Sequence, residues 1–147
     1  SNEEDAKDVF GIEASDNNVE CGQLNRQGYI SVAQQLQSRF GLKTVAITLR
    51  ESLSANDNNW GAMLYHEGQA YFSPTYHIHI VDRVGGGDSF GAGLIYSLLA
   101  EKGQQDAINF AAAASCLKHT IEHDANLVSI EEVESLVAGN STGRVQR

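Results

Sequence analysis

The run Asp82-Arg83-Val84-Gly85-Gly86-Gly87-Asp88-Ser89-Phe90-Gly91-Ala92-Gly93 brings together residue types that phosphoryl chemistry needs. Three consecutive glycines lead directly into an acid, after a β-like stretch at residues 77–81 and before an apolar, helix-like stretch at residues 94–99. Without a Cβ, Gly85, Gly86 and Gly87 let an anion approach the backbone N–H groups, and the chain can take positive φ there. The start of the following helix adds unpaired N–H groups and the positive end of the helix dipole. Asp88 then stands beside the anion, where it can accept a proton from an attacking hydroxyl. The pattern predicts phosphoryl transfer.

Two other glycine motifs are excluded. A P-loop needs lysine after its last glycine, and none follows here. A dinucleotide fingerprint starting at Gly85 needs a glycine at position 90, which is Phe90. The same spacing also fits an ordinary strand-to-helix turn with Asp88 or Ser89 as N-cap.

This segment resembles the second signature of the ribokinase-like (PfkB) sugar kinases, in which an acid, a short linker and a small-Gly-Asp turn open a helix. Asp82 matches the leading acid, Gly85, Gly86 and Gly87 the anion hole for the ATP phosphates, and Asp88 the catalytic base, which also contacts substrate. Arg83 departs from the small or hydroxyl residue usual in the family. Thr44-Val-Ala-Ile-Thr-Leu-Arg50, Asn58-Asn-Trp-Gly-Ala-Met63 and residues 110–128 are similar to the 2-keto-3-deoxygluconate kinases of this family. The likeness covers nearly the whole chain but only the carboxy-terminal half of such an enzyme. It implies a ribokinase-like α/β fold with a mainly parallel central sheet, a nucleotide-binding half at residues 1–138 and a polar tail at 139–147. Most sugar contacts and a small β lid would then belong to an amino-terminal half.

The resemblance also implies ATP and Mg²⁺ as cofactors and a sugar or sugar acid as acceptor. 2-Keto-3-deoxygluconate, giving its 6-phosphate, is the expected substrate. Fructokinase or ribokinase chemistry and a non-catalytic nucleotide-binding fragment are the alternatives. Thr48, Arg50 and Gly61 are expected to line the nucleotide, with arginine at position 50 where the family usually has glycine. Ala112 and Ser115 offer a wall for adenine, or else a tight helix–helix contact. Asn2 and Asp5 resemble an Asn-x-x-Glu motif that helps hold magnesium through water; their spacing equally suits an N-cap with an acidic first turn. Asp124 matches an acid near the sugar, although His123 stands where glycine is common.

Composition sets the limits. A chain of 147 residues with 41% hydrophobic content is long enough for one domain with a real core. The net charge of −9 argues against a polyanion partner such as nucleic acid, but not against a single nucleotide. No signal peptide or membrane-length apolar run is present, so the expected setting is cytoplasmic, with no membrane partner; a homo-oligomer of the full-length protein stays open. Cys21 and Cys116 fit no metal spacing and read as free thiols. His77 and His79 share one side of a strand, and His119 and His123 lie four apart on an expected helix. Neither pair has a third metal ligand at the usual spacing.

The elements that must position the glycine turn follow from periodicity. A helical first turn is expected at residues 2–9. Tyr29, Val32, Ala33, Leu36 and Phe40 keep helical spacing, with Gly41 as the stop. Residues 44–49 read as a buried strand and 51–59 as a polar loop. Residues 61–66 and 69–73 form a hairpin about Glu67-Gly68, and residues 77–81 a further strand before the turn. Helices are expected at 90–99, at 105–121 and from the Ser129-Ile130-Glu131-Glu132 capping box to Val137.

Overall fold

The computed structural model describes residue 11 and residues 26–139. The expected first turn with Asn2 and Asp5, the thiol of Cys21 and the tail from residue 140 lie outside the described residues.

Helix α1, Arg26–Phe40, buries the stripe Tyr29, Val32, Ala33 and Leu36, while Phe40 stays exposed. Gly41 stops it with φ +64°, and Leu42 N–H donates to the Gln37 carbonyl, the six-residue bond of a Schellman ending. Strand β1, Thr44–Ser52, alternates strictly through Leu49, with Val45, Ile47 and Leu49 buried. It pairs with β2, Asp57–His66, over its whole length, from Thr44 opposite His66 to Ser52 opposite Asn58. The expected polar loop at 51–59 is therefore mostly ladder. Only residues 53–56 turn, held by Leu53 and Ser54 N–H groups on the Asp57 carbonyl. Polarity misled here because an antiparallel ladder extends as long as both strands supply backbone partners. Asn58 is fully buried, its Oδ1 accepting from Ser52.

Strands β3, Gln69–Phe72, and β4, Tyr76–His79, pair in tandem along the other edge of β2. Glu67 and Gly68 both have positive φ, the twist that suits a two-residue hairpin. At the break between β3 and β4, the Ser73 hydroxyl accepts from Ala62 N–H and donates to the Pro74 carbonyl. All described pairings are antiparallel. The mainly parallel sheet that the resemblance implies is not formed by the described strands, because their connections are far shorter than a parallel crossover.

One face of the sheet packs Met63 and Tyr65 against α1. On the other face, Ala62 and Leu64 meet Phe90, Ile108, Ala111 and Ala112. These come from α2, Gly86–Leu99, and α3, Gln104–Lys118. Helix α4, Ile130–Val137, opens on the expected capping box: Ser129 Oγ accepts from Glu132 N–H and the Glu132 carboxylate from Ser129 N–H. Val133 anchors it against Phe110, Ala113 and Ala114 of α3. Helix α3 is thus the hub, covered by the sheet, α2 and α4.

Helices α2 and α3 touch almost backbone to backbone. A Cβ on Gly93 would stand 3.1 Å from Ala111 Cα and 3.2 Å from Ala114 Cβ. Gly93→Val should therefore overpack this contact and cost about 1–3 kcal/mol, read as a lower urea midpoint with an unchanged slope. An unchanged midpoint would mean that the two helices are free to separate.

Candidate active site

The chain leaving β4 is tied to the end of α3 before it reaches the glycines. Val81 and Asp82 N–H groups both donate to the His119 carbonyl, at 2.8 and 3.2 Å. The Asp82 carboxylate then accepts from Val84 N–H and from His123 N–H, each at 2.9 Å. These two bonds hold its carboxyl below the ordinary value, with Lys118 and His123 adding to the effect by charge. Asp82 thereby joins the glycine turn to the segment that follows α3.

Gly85 is the N-cap of α2 with φ +77°, and Ser89 N–H makes the first helical bond to its carbonyl at 2.9 Å. The helix starts at Gly86, four residues before the expected start at Phe90. Glycines placed after a capping turn can continue straight into helical geometry. Gly87 and Asp88 therefore occupy the first turn, where their N–H groups have no carbonyl one turn back to bond. Both are exposed, and nothing stands within 4 Å of a Cβ built on Gly87. Gly86 is buried behind them.

The back of the turn admits no side chain. A Cβ on Gly86 would lie 2.6 Å from His119 Cε1, and one on Gly85 would run into the Asp124 carbonyl with Lys118 Cε at 3.2 Å. The Gly86 carbonyl accepts from Ser115 Oγ at 2.7 Å. The His119 ring leans on Trp60, centroids 4.6 Å apart, and its Nδ1 is 2.6 Å from the Ser115 carbonyl. That contact makes Nδ1 the protonated nitrogen. Burial pushes the His119 pKa down, and the nearby charges of Lys118, Arg83 and Arg50 push the same way against the Ser115 bond.

Beside the first turns of α2, a cleft of about 350 Å³ lies between α2, α3, the segment after α3 and the start of α4. Asp88, Ser89, Tyr96, Phe110, Asp124 and Asn126 are among its lining residues. The two carboxylates singled out in the sequence, 36 positions apart, therefore share one cleft at a helix N-terminus. The arrangement fits a phosphate: two orphan N–H groups and an open face at Gly87, on a turn whose back is closed against His119 and Asp124. Trp60 Nε1 is a further buried donor without a partner among the described residues.

The other expected residues divide. Arg50 is exposed at the β1 position opposite Trp60, close enough for its charge to act on His119. Thr48 is half-buried on the same sheet face, opposite Ala62. Gly61 is buried within β2, with Pro74 O 3.4 Å from where its Cβ would be. Ala112 is fully enclosed against Ala62, Leu64 and Ile108, so it is core packing rather than an open wall. Ser115 is equally buried but reaches the site through Gly86. Arg83 donates to the Ala55 carbonyl at 2.6 Å, pinning the β1–β2 turn to the glycine segment.

The histidines take structural partners. His79 and His77 Nδ1 lie 2.8 and 3.2 Å from Asp57 Oδ1 and Asn59 Oδ1 across the ladder. Helix α3 ends at Lys118, so His119 and His123 do not share a helix face, and His123 has φ +69°. No group of three metal-ligating side chains occurs among the described residues. Cys116 is a free, buried thiol whose pKa burial raises to about 12. Lys118 escaped sequence reasoning. A lysine directly before His119 at the end of an alanine-rich helix was the available signal.

Residues 2–127 match the profile of the pfkB family carbohydrate kinases. The chain belongs to this family. It is 49% identical to the solved 2-dehydro-3-deoxygluconokinase of Thermotoga maritima, with a TM-score of 0.84 over 94% of this chain and 40% of that one. It is 30% identical over 113 residues to the 2-dehydro-3-deoxygalactonokinase of Haloferax volcanii, covering 77% of this chain and 33% of that protein. A ribokinase of Thermotoga maritima, 22% identical over 93% of this chain and 40% of its own, shares the fold with a TM-score of 0.64. The chain thus has the ribokinase-like α/β fold but spans about a third to two-fifths of these relatives. No described helix of this pfkB chain is long and apolar enough to cross a membrane.

The depressed His119 pKa predicts how stability responds to pH. The unfolded chain binds the proton near the ordinary value of 6.5 and the folded chain only below it. Stability from this site is complete above about pH 6.5 and falls as pH drops toward the folded pKa, where unfolding takes up a proton. The depressed carboxyls of Asp57 and Asp82, ordinarily 3.8, and Glu131, ordinarily 4.5, act only in a more acid range. Resistance to urea should fall from pH 7 to 5 in the parent and much less in His119→Gln. Parallel curves would rule out His119 as the titrating group.

Proposed function

We propose that the full-length protein transfers the γ-phosphoryl group of ATP to a hydroxyl of a sugar or sugar acid, with 2-keto-3-deoxygluconate and its 6-phosphate as the reactant pair. The observation that carries this reading is the cleft lined by both Asp88 and Asp124 at the helix start that follows Gly85–Gly87. Support for the sugar comes from the 49% identity to the Thermotoga maritima 2-dehydro-3-deoxygluconokinase. The chain would be the nucleotide-binding, carboxy-terminal part of the enzyme, residues 1–138 followed by a polar tail, working in the cytoplasm.

Bound ATP with Mg²⁺ would supply the phosphoryl group and neutralise part of its charge. The N–H groups of Gly87 and Asp88, backed by Gly85 and Gly86, hold phosphate oxygens and favour the charge that builds up during transfer. Asp88 orients the acceptor hydroxyl and takes its proton at a carboxylate oxygen. Asp124 faces the same cleft and fixes the acceptor's polar groups. Arg50 and Arg83, on the sheet side, raise the local potential for the nucleotide, and Thr48 borders it there. Asn2 and Asp5 would help hold magnesium through water. A purely nucleotide-binding module would need the glycines but not an acid at position 88.

Two substitutions in the full-length protein test this reading. Asp88→Asn should lower kcat by roughly 100- to 10,000-fold while calorimetry finds Mg-ATP bound within a few-fold of the parent. Retained turnover would remove Asp88 as base, and joint loss of fold and binding would make it a helix cap instead. Gly86→Val should abolish Mg-ATP binding, because its side chain must displace His119. Undiminished binding would mean that phosphate is held elsewhere.

A further inference from the structure

Lys118 is fully buried, the largest side chain among the described residues to be so. Lysine is almost never enclosed without compensation, because desolvating an ammonium is costly. Among the described residues the one hydrogen bond of its ammonium runs from Nζ to the Ile121 carbonyl at 3.1 Å, and its Cε lies beneath Gly85. Two features offset the charge. Lys118 is in the last turn of α3, at the negative end of that helix, and the Asp82 carboxylate feels its field. Asp82 in turn grips Val84 and His123, the two flanks of the turn. The ammonium therefore sits where the start of α2, the end of α3 and the segment after α3 meet. The N-terminus of α2 is itself positive, so an added cation there raises the site's potential for an anion.

We propose that the buried ammonium of Lys118 is an internal cation that holds the glycine turn in its anion-accepting form. It is a positioning residue acting through Gly85 and residues 121–124, not one that touches ligand. Its effect on nucleotide rests on the phosphate-binding reading above; its effect on the turn does not.

Lys118→Met keeps length and removes charge, and Lys118→Arg keeps charge. In the full-length protein, Lys118→Met should speed hydrogen exchange of the 84–88 and 121–124 amides by at least ~10-fold, leaving α4 unchanged, and weaken Mg-ATP binding by at least ~10-fold. Lys118→Arg should stay nearer the parent in both. If Lys118→Met does not fold, Lys118→Ala with propylammonium chloride takes its place. Saturable recovery of turn protection is expected there, and none from tetramethylammonium, which has no N–H, at equal ionic strength. Unchanged exchange in the methionine variant, or propylammonium acting no better than tetramethylammonium, would overturn the proposal. A parent that binds no Mg-ATP would sink the phosphate-binding reading, while the exchange data still decide the role of Lys118.

Discussion

Everything at this site depends on how closely the backbone of Gly85 and Gly86 approaches the end of α3. A methyl group at either position would collide with the Asp124 carbonyl or the His119 ring. That closeness lets Ser115 reach the Gly86 carbonyl and lets His119, Asp82 and His123 knit the two segments together. It also sets the first turn of α2 beside the cleft that Asp88 and Asp124 share. A looser turn would leave the same residues in the chain but aim the donors at no common point.

The electrostatics follow from this packing. The chain carries nine more acidic than basic charges, yet three of its ten cationic residues, Lys118, Arg83 and Arg50, act on His119 beside the glycine turn. Local concentration of charge beside a helix N-terminus favours a single anion there even on an acidic protein. His119 serves this arrangement as a neutral ring: burial disfavours its proton, and so do the neighbouring cations.

Much of this was readable in the residues. The stripe of α1, its Gly41 ending, the Glu67-Gly68 hairpin and the Ser129 capping box all appear as expected, because each depends on neighbours within a few positions. The glycine turn that opens α2 was equally legible, since Gly85 takes the positive φ its residue type allows. The polar stretch at 51–59 was not. Its residues belong to a ladder whose partners, such as Asn58 with Ser52, are defined by register rather than by polarity. The sense of the strands also escaped, because alternation of strands and helices says nothing about which edge each strand joins.

By itself, then, the chain determined its local turns, caps and helical faces, and the residue types that a phosphate-transfer site would need. Tertiary structure alone decided which of them meet. It joined Asp88 to Asp124, enclosed Ala112 and Gly61 in the interior, gave the histidines their hydrogen-bond partners and put a lysine under a glycine turn. The physical reason is range. Dihedral preferences and caps act over one or two turns of chain, whereas burial, field and close backbone approach exist only once distant segments have packed.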